Sequence, residues 1–434
     1  MTTLTHRRVL RIAAPIVLSN ATVPLLGAVD TAVIGQLGAA APLGAVGIGA
    51  VILSTFYWVF GFLRMSTSGL TAQAHGAGDG AERSAILLRA LMIGALAGLA
   101  LIGAQTLLFH AAFAVSPASP EVESLAQQYL AIRIWGAPAT IALYAVTGWL
   151  IALERTRAVL VLQLAQNGIN IALDFYFVLH LNWGVPGVAI ATLIAEWGGL
   201  ALGLWLARDA FGAFLRPAIA RLRDRVALGK MFTASRDIML RTVLLQLSFT
   251  SFVFLGARFG DTTLAANQVL IQFLSITAFA LDGFAFAAEA LVGQSVGARS
   301  ITDTRRAGQI CMHLGFASAA VLALVFAAIG PQIIALMTTA PEVRATAQIY
   351  LPWMIIAPLI GVASWIYDGM FIGAMMTGAM LRAMALSVAI YAAAMAILLP
   401  AFGNHGLWAA LMVLNIARGL TLRRAWPGIE ARIA

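Results

Sequence analysis

Residues 85–115 read AILLRALMIGALAGLALIGAQTLLFHAAFAV, a run whose single charged side chain is that of Arg89. The run is longer than the roughly 20 apolar residues that a helix needs to cross a lipid bilayer. Similar runs recur along the 434 residues, of which 61% are hydrophobic and 10% are charged, with a mean hydropathy of +0.91. Soluble domains carry about 25% charged residues. The composition therefore excludes a soluble globular protein, a disordered chain and a disulfide-stapled secreted domain, and it predicts a polytopic helical membrane protein.

Short polar turns divide the chain into twelve predicted membrane spans. The spans cover residues 10–37, 43–72, 85–115, 124–153, 158–181, 186–207, 234–257, 264–294, 306–338, 345–373, 378–400 and 405–422. Strands are not expected, because open sheet edges cannot face lipid and the sequence shows no ten-residue alternation of polar and apolar side chains. The predicted fold class is an all-α polytopic membrane protein.

The chain contains an internal repeat, and the two copies flank a polar connection at residues 208–235. The matching elements, which all fall in one narrow register, are Glu121-Val122 and Glu342-Val343, Tyr129 and Tyr350, Ala137-Pro138 and Ala357-Pro358, Gly148 and Gly369, Gly184-x-x-Gly187 and Gly403-x-x-Gly406, and residues 73–77 and 294–298. Each copy holds an even number of spans, so both copies have the same orientation. We predict two pseudo-symmetric six-helix bundles, an N-lobe (1–207) and a C-lobe (236–434), joined by a cytoplasmic linker (208–235).

The basic residues predict the orientation in the membrane. With both termini in the cytoplasm, 23 of the 27 Lys and Arg residues lie in cytoplasmic segments and two, Arg258 and Arg344, lie in outside loops. Cytoplasmic loops of membrane proteins collect Lys and Arg, so both termini are predicted to be cytoplasmic. The same residues explain the net charge of +9, and nucleic-acid binding is not expected. Cys311 is the only cysteine, which excludes an intramolecular disulfide.

The fifth predicted span carries a polar stripe. Gln163, Gln166, Asn167, Asn170 and Asp174 are spaced by three and four residues, so they share one face of a helix. Such a face cannot point into lipid. It is either a hydrogen-bonded seam between helices or part of a transport site, and the carboxylate of Asp174 favours the transport site.

Other ionisable residues fall inside predicted spans, where they are costly and mark functional sites. They are Asp30, Arg64, Arg133, Glu196, Asp282, Glu289 and Asp368. Asp30 is a candidate for cation binding, with pairing to a neighbouring helix as the alternative. For Asp282, Glu289 and Asp368, structural and transport roles are equally open. Arg64 is either their counter-ion or a residue near the cytoplasmic end of its span. Glu196 is expected either to form a structural pair or to snorkel towards the membrane surface.

Catalytic motifs are absent from the sequence. It contains no Gly-x-x-x-x-Gly-Lys-[Ser/Thr] phosphate loop, no His-Glu-x-x-His and no Gly-x-Ser-x-Gly. We therefore expect no enzyme activity, no cofactor and no metal site. Transport driven by an ion gradient, or passive transport, is the function that remains.

Several stretches resemble the multidrug and toxic compound extrusion (MATE) family, in particular its DinF-type branch. They are Val29-Asp30-Thr31-Ala32-Val33-Ile34-Gly35, residues 61–73, residues 281–294 and Tyr367-Asp368-Gly369-Met370-Phe371-Ile372-Gly373. The resemblance covers nearly the whole chain. It implies antiport, in which a proton or a sodium ion enters while a drug-like, often cationic, small molecule leaves. It also implies a multi-pass protein surrounded by the lipids of a prokaryotic inner membrane and working as a monomer.

The resemblance further implies a cation site in the N-lobe. The matching positions are Asp30, Asn170, Asp174, Thr192 and Tyr129. A second family site, in the C-lobe, would use Asp368, but the seventh span shows no matching acid and carries Arg241, Gln246 and Arg258 instead, which argues against a sodium site in the C-lobe. DinF-type members are associated with proton coupling, so the resemblance favours a proton over sodium as the coupling ion.

The alternative function is a lipid-linked or polyprenyl flippase of the same broad superfamily. Such proteins often carry cationic groups that meet phosphates, whereas acids outnumber bases in the predicted spans of this chain. A passive channel and an intramembrane enzyme are less favoured still.

Overall fold

The computed structural model of the protein describes residues 4–36, 39–115 and 118–433. In these ranges the chain is helical and contains no strand. The helices of the first half are α1 (His6–Gly35), α2 (Ala40–Trp58), α3 (Phe62–Gly76), α4 (Gly80–Gly103), α5 (Gln105–Val115), α6 (Pro120–Arg133), α7 (Ala137–Ala152), α8 (Thr156–Asp174), α9 (Gly184–Leu206) and α10 (Leu215–Arg221). The helices of the second half are α11 (Arg225–Gly256), α12 (Asp261–Gly297), α13 (Ile301–Met337), α14 (Pro341–Gly373), α15 (Thr377–Phe402), α16 (Asn404–Ala425) and α17 (Pro427–Ile433).

Ten helical segments of the described chain are long and apolar enough to cross a membrane. Two of them are rods in which a 3₁₀ turn joins two helices, α2 to α3 through Val59–Gly61 and α6 to α7 through Ile134–Gly136. The long helices α1 and α16 bring the number in the described residues to twelve. The predicted all-α fold with twelve transmembrane helices is confirmed. The predicted end of the first span, at residue 37, lies outside the described residues.

The helix boundaries repeat along the chain. In the register that relates Gly148 to Gly369, here called the repeat register, the ends of the rod Ala40–Gly76 coincide with those of α12. The ends of the rod Pro120–Ala152 coincide in the same way with those of α14. Left-handed backbone also recurs in this register, at Glu154 (φ 59°) and at Met375 (φ 52°). Such backbone is uncommon for residues other than glycine, so both halves use one turn geometry.

The chain forms two compact units. The N-unit comprises Leu18–His75 and Asp79–Met231, and the C-unit comprises Met1–Val17, Gly76–Gly78 and Phe232–Ala434. The lobe boundaries predicted from the sequence stay a prediction.

Much of the predicted polar linker is helical, and α10 within it is held against α4. Arg221 on α10 donates a hydrogen bond to Asp79 at 2.6 Å, and Asp79 also caps the first turn of α4. Arg89 on α4 in turn donates to the backbone oxygen of Arg221 at 2.6 Å. These contacts attach the region after α9 to the N-unit.

Glycines allow two helix pairs to pack backbone against backbone. A Cβ at Gly148 on α7 would lie 2.3 Å from the carbonyl oxygen of Arg64 on α3. A Cβ at Gly369 on α14 would lie 2.1 Å from the carbonyl oxygen of Ala285 on α12. The two contacts are equivalent in the repeat, since Arg64 corresponds to Ala285 in the repeat register. The same close crossing therefore builds both bundles.

Replacing Gly369 with alanine should destabilise the protein, because the new methyl group overlaps the backbone of α12. We expect a loss of about 1–3 kcal/mol, typical of overpacking at a tight contact. The thermal unfolding midpoint of the purified protein in detergent measures it. Gly168→Ala on α8 is the control, because a Cβ there meets nothing within 4 Å. Equal midpoints for the two variants would contradict the prediction.

Candidate functional site

Four helices of the N-unit bring polar side chains together in one cluster, in which every side chain except that of the half-buried Asp30 is buried. The residues are Asp30 on α1, Tyr129 and Arg133 on α6, Asn170 and Asp174 on α8, and Thr192 and Glu196 on α9. All five positions of the predicted cation site are therefore in this cluster. Their role in ion binding stays a prediction.

At the centre of the cluster, the carboxyl groups of Asp30 and Asp174 lie next to each other. Asp174 is fully buried. No N–H or hydroxyl group of the described residues donates to either oxygen of Asp174 or to Oδ1 of Asp30. Two neighbouring carboxyl groups can share one proton, because a protonated carboxyl group can donate to an ionised one, whereas two ionised carboxylates can only accept. The pair can therefore hold a proton.

Asn170 lies one helical turn before Asp174 and adds an amide to the same face. Its Nδ2 donates to Thr192 Oγ1 at 3.1 Å, and the Thr192 hydroxyl donates to the backbone oxygen of Val188 at 2.9 Å. The amide is thus oriented by α9. Oδ1 of Asn170 is buried and receives no hydrogen bond from the described residues. Together with the carboxyl oxygens, this gives four buried acceptor atoms that a cation could satisfy.

An ion pair lies beside the two acids. Nη1 of Arg133 donates to Oε2 of Glu196 at 2.6 Å, and Nε of Arg133 donates to the Tyr129 hydroxyl at 3.4 Å. A Cβ at residue 136 would lie 1.9 Å from Oε2, so a larger residue there would displace the carboxylate of Glu196. Glu196 therefore forms the structural pair that was predicted.

The sequence did not indicate a role for Arg133. In the structure, its positive charge interacts electrostatically with both Asp30 and Asp174. The available signal was its spacing of four from Tyr129, which places both side chains on one face of α6.

The helical geometry of α8 changes directly after Asp174. Residues Phe175–His180 form a π-helical segment, and Asn182 beyond it has a left-handed backbone (φ 55°). π-Helical segments are rare and occur frequently at functional sites. Asp174 is therefore held at the point where the α-helix ends.

The polar stripe of α8 has two parts with different roles. In its first part, Gln163 donates to Asn167 at 2.9 Å, and Nδ2 of Asn167 contacts the hydroxyl of Thr22 on α1 at 3.2 Å. This part is a seam between helices. The second part, Asn170 and Asp174, forms the cluster with unsatisfied acceptors. The seam between helices is therefore present in the first part of the stripe, whereas a transport role for the second part stays a prediction.

The sequence analysis also gave four further candidates for a transport role, and the structure places them as follows. Arg64 is on α3 of the N-unit, whereas Asp282 and Glu289 are on α12 of the C-unit, where Glu289 is buried. Asp368 on α14 accepts hydrogen bonds from two arginines, Arg241 and Arg418. Those two arginines were counted with the cytoplasmic residues, but both are buried.

The C-unit has no equivalent of the acid pair. In the repeat register, Asp30, Asn170 and Asp174 correspond to Ser251, Tyr391 and Met395. The hydroxyl groups of Ser251 and Tyr391 lie 3.0 Å apart. The two halves thus share a backbone plan, but their side chains at these positions have different chemistry.

Comparisons with known proteins agree with the fold. The family model described as MatE matches residues 15–176 and again residues 238–398. The chain is 40% identical over 424 residues to DNA damage-inducible protein F of Escherichia coli, covering 96% of this chain and 90% of that protein. It is 27% identical over 387 residues to the probable multidrug resistance protein NorM of Pseudomonas aeruginosa, covering 84% and 75%.

Two solved structures share the fold. One is a MATE protein in a bent conformation (TM-score 0.89, 17% identity, covering 98% of this chain and 96% of that one). The other is an outward-facing multidrug resistance MATE family transporter (TM-score 0.86, 17% identity, covering 98% and 96%). The family model matches most of the chain and covers both halves of the repeat. The protein is therefore a multi-pass membrane protein that belongs to the MatE family of transporters.

Proposed function

We propose that the protein is a proton-coupled antiporter that exports drug-like organic cations by alternating access. The observation that carries the proposal is the pair of neighbouring carboxyl groups of the half-buried Asp30 and the fully buried Asp174, whose buried oxygens receive no hydrogen bond from the described residues. Relatives whose names include multidrug resistance support the class of substrate.

The coupling follows because the proton and the organic cation compete for the same carboxyl groups. When the site is open to the outside, a proton binds between Asp30 and Asp174 and removes a negative charge. A bound organic cation then loses its counter-charge and leaves. When the site is open to the cytoplasm, the proton is released and the ionised carboxylates attract the next cation. Since the acids cannot hold a proton and a cation together, each must move in exchange for the other.

A proton fits the pair better than a sodium ion does. The two carboxyl groups lie next to each other, so a single proton on one of them can be shared by the pair. The charge of Arg133 also acts on both acids, and it disfavours a second fixed cation nearby. Sodium would instead have to use the remaining acceptors, such as Oδ1 of Asn170.

The remaining parts of the proposal concern the cell. We place the protein in a prokaryotic inner membrane as a monomer, with both termini in the cytoplasm. The orientation is supported by the excess of arginine in the segments that would face the cytoplasm, including Arg7, Arg8 and the region 208–236. The membrane is supported by the similarity to the protein of Escherichia coli.

Efflux from proteoliposomes tests the proposal. With ethidium loaded inside, an acidic outside buffer should drive dye out, whereas an inward sodium gradient at equal pH should not. Dye efflux with sodium alone would overturn proton coupling. If neither gradient moved the dye and the protein instead translocated a polyprenyl-linked lipid, the flippase alternative would replace the exporter.

A further inference from the structure

A second buried charge cluster lies in the C-unit. Three helices contribute to it, with Arg241 from α11, Asp368 from α14 and Arg418 from α16. Nη2 of each arginine donates to the same oxygen, Oδ2 of Asp368. The three side chains are 7%, 10% and 4% exposed, respectively. The proposed proton site uses none of them.

The cluster carries more positive than negative charge. Arginine stays protonated in proteins, so the single carboxylate of Asp368 cannot neutralise both guanidinium groups. The acid of α11, Asp237, already accepts hydrogen bonds from Arg236 at 2.8 Å and from Thr377 at 3.2 Å. An uncompensated charge among membrane-spanning helices is costly, which favours the binding of an anion.

Two N–H donors of the cluster are also unused. Nε of Arg241 and Nε of Arg418 are buried, and neither donates to an acceptor within residues 4–36, 39–115 and 118–433. Buried donors are nearly always hydrogen-bonded. Two unsatisfied donors beside an excess positive charge therefore point to an anionic ligand. Guanidinium groups form strong, charge-assisted hydrogen bonds with carboxylates.

The internal repeat shows that these charges are not a shared feature of the two halves. In the repeat register, Arg241 and Asp368 correspond to Asn20 and Thr147. In the slightly shifted register that relates the glycine motifs at 184–187 and 403–406, Arg418 corresponds to Gly199. The N-unit thus builds its helices with neutral residues at these positions. The three charges are therefore specific to the C-unit, and the backbone plan that the two halves share does not by itself require them.

We propose that Arg241 and Arg418 form a binding site for the carboxylate of an amphiphilic organic acid, so that the transporter handles organic anions as well as cations. This rests on the transport function proposed above, but it uses a site of its own in the C-unit. A carboxylate with one negative charge balances the excess charge of the cluster. Its two oxygens accept the two unused Nε–H donors.

Binding of a fluorescent fatty acid tests the site without any gradient. The probe is 11-(dansylamino)undecanoic acid, titrated against the purified protein in a neutral detergent, with its methyl ester as the uncharged comparison. Arg241→Gln and Arg418→Gln should each weaken binding of the acid about tenfold or more, as expected for loss of a charge-assisted hydrogen bond, and should leave binding of the ester unchanged. Arg423→Gln is the matched control, because Arg423 is an exposed arginine on the same helix.

Asp368→Asn tests whether the cluster is a binding site or a purely structural set of ion pairs. This change removes the negative charge that competes with the ligand, so binding of the acid should become tighter, a gain that misfolding cannot mimic. Wild-type affinity in Arg418→Gln, or equal weakening in Arg418→Gln and Asp368→Asn, would overturn the proposal. Displacement of the probe by an equimolar amount of phosphatidylglycerol would also overturn it, because the occupant would then be a lipid headgroup. The assay measures binding only, so its failure is distinguishable from a failure of cation export in proteoliposomes.

Discussion

Asp30→Asn and Asp174→Asn should each reduce proton-driven dye efflux to the level of liposomes without protein. An asparagine cannot take up or release a proton, and it leaves the other acid without the partner that shares the proton. The substitution keeps the size of the side chain, so the helices should pack as before. Efflux of ethidium under an imposed pH gradient is the measurement, with equal amounts of each variant reconstituted.

The matched control for this loss is Asp261→Asn. Asp261 is an exposed aspartate in the first turn of α12, so the substitution makes the same chemical change away from the cluster. It should leave efflux near the wild-type rate. Full proton-driven efflux in Asp30→Asn would contradict the proposed coupling, whatever the result for Asp174→Asn. Sodium-driven efflux that survives in both variants would show that the coupling ion binds outside the acid pair.

The membrane fold could be predicted because each span carries its own signal. Runs such as residues 85–115 are apolar regardless of what they pack against, so composition alone predicts the helix. The repeat could also be predicted from the sequence, since Gly148 and Gly369 occupy matching places in the two halves. The structure shows that these two glycines make matching backbone contacts. The sequence could not show why glycine is needed at these positions, because the backbone that a Cβ would meet belongs to the facing helix.

The site could be predicted only in part. The spacing of Asn170 and Asp174 places them on one face of α8, which is a local property of a helix. Their proximity to Asp30 depends on the packing of α1 against α8, and the spacing of residues carries no information on that packing. The resemblance to the MATE family supplied this expectation.

The buried arginines show where reasoning from composition fails. Arg241 and Arg418 were assigned to the cytoplasmic side by a rule that counts charges near the ends of spans. The rule cannot separate an arginine that reaches water from one that pairs with a distant acid. Asp368, their partner, is far from both of them in the sequence and lies on a different helix from either. Only the packing of α14 between the two arginines reveals the cluster.

Glu196→Gln should strongly destabilise the folded protein. It leaves the guanidinium of Arg133 buried without the carboxylate that it contacts at 2.6 Å. Breaking a buried ion pair by removing one partner costs about 3–5 kcal/mol, because the other charge stays uncompensated. Arg133→Gln should cost a similar amount. Unfolding of the purified protein in detergent, followed by temperature or denaturant, measures both losses.

The double variant Arg133→Gln/Glu196→Gln distinguishes a coupled pair from two independent contacts. With both charges removed, no buried charge is left unpaired, so the double variant should be more stable than either single one. Asp209→Asn is the control, since Asp209 forms an exposed pair with Arg155 at 2.7 Å. Loss of an exposed pair should cost less than about 1 kcal/mol. If the two single losses simply added in the double variant, Arg133 and Glu196 would not be coupled. The position of Arg133 beside Asp30 and Asp174 would then need another explanation, such as direct attraction between Arg133 and the two acids.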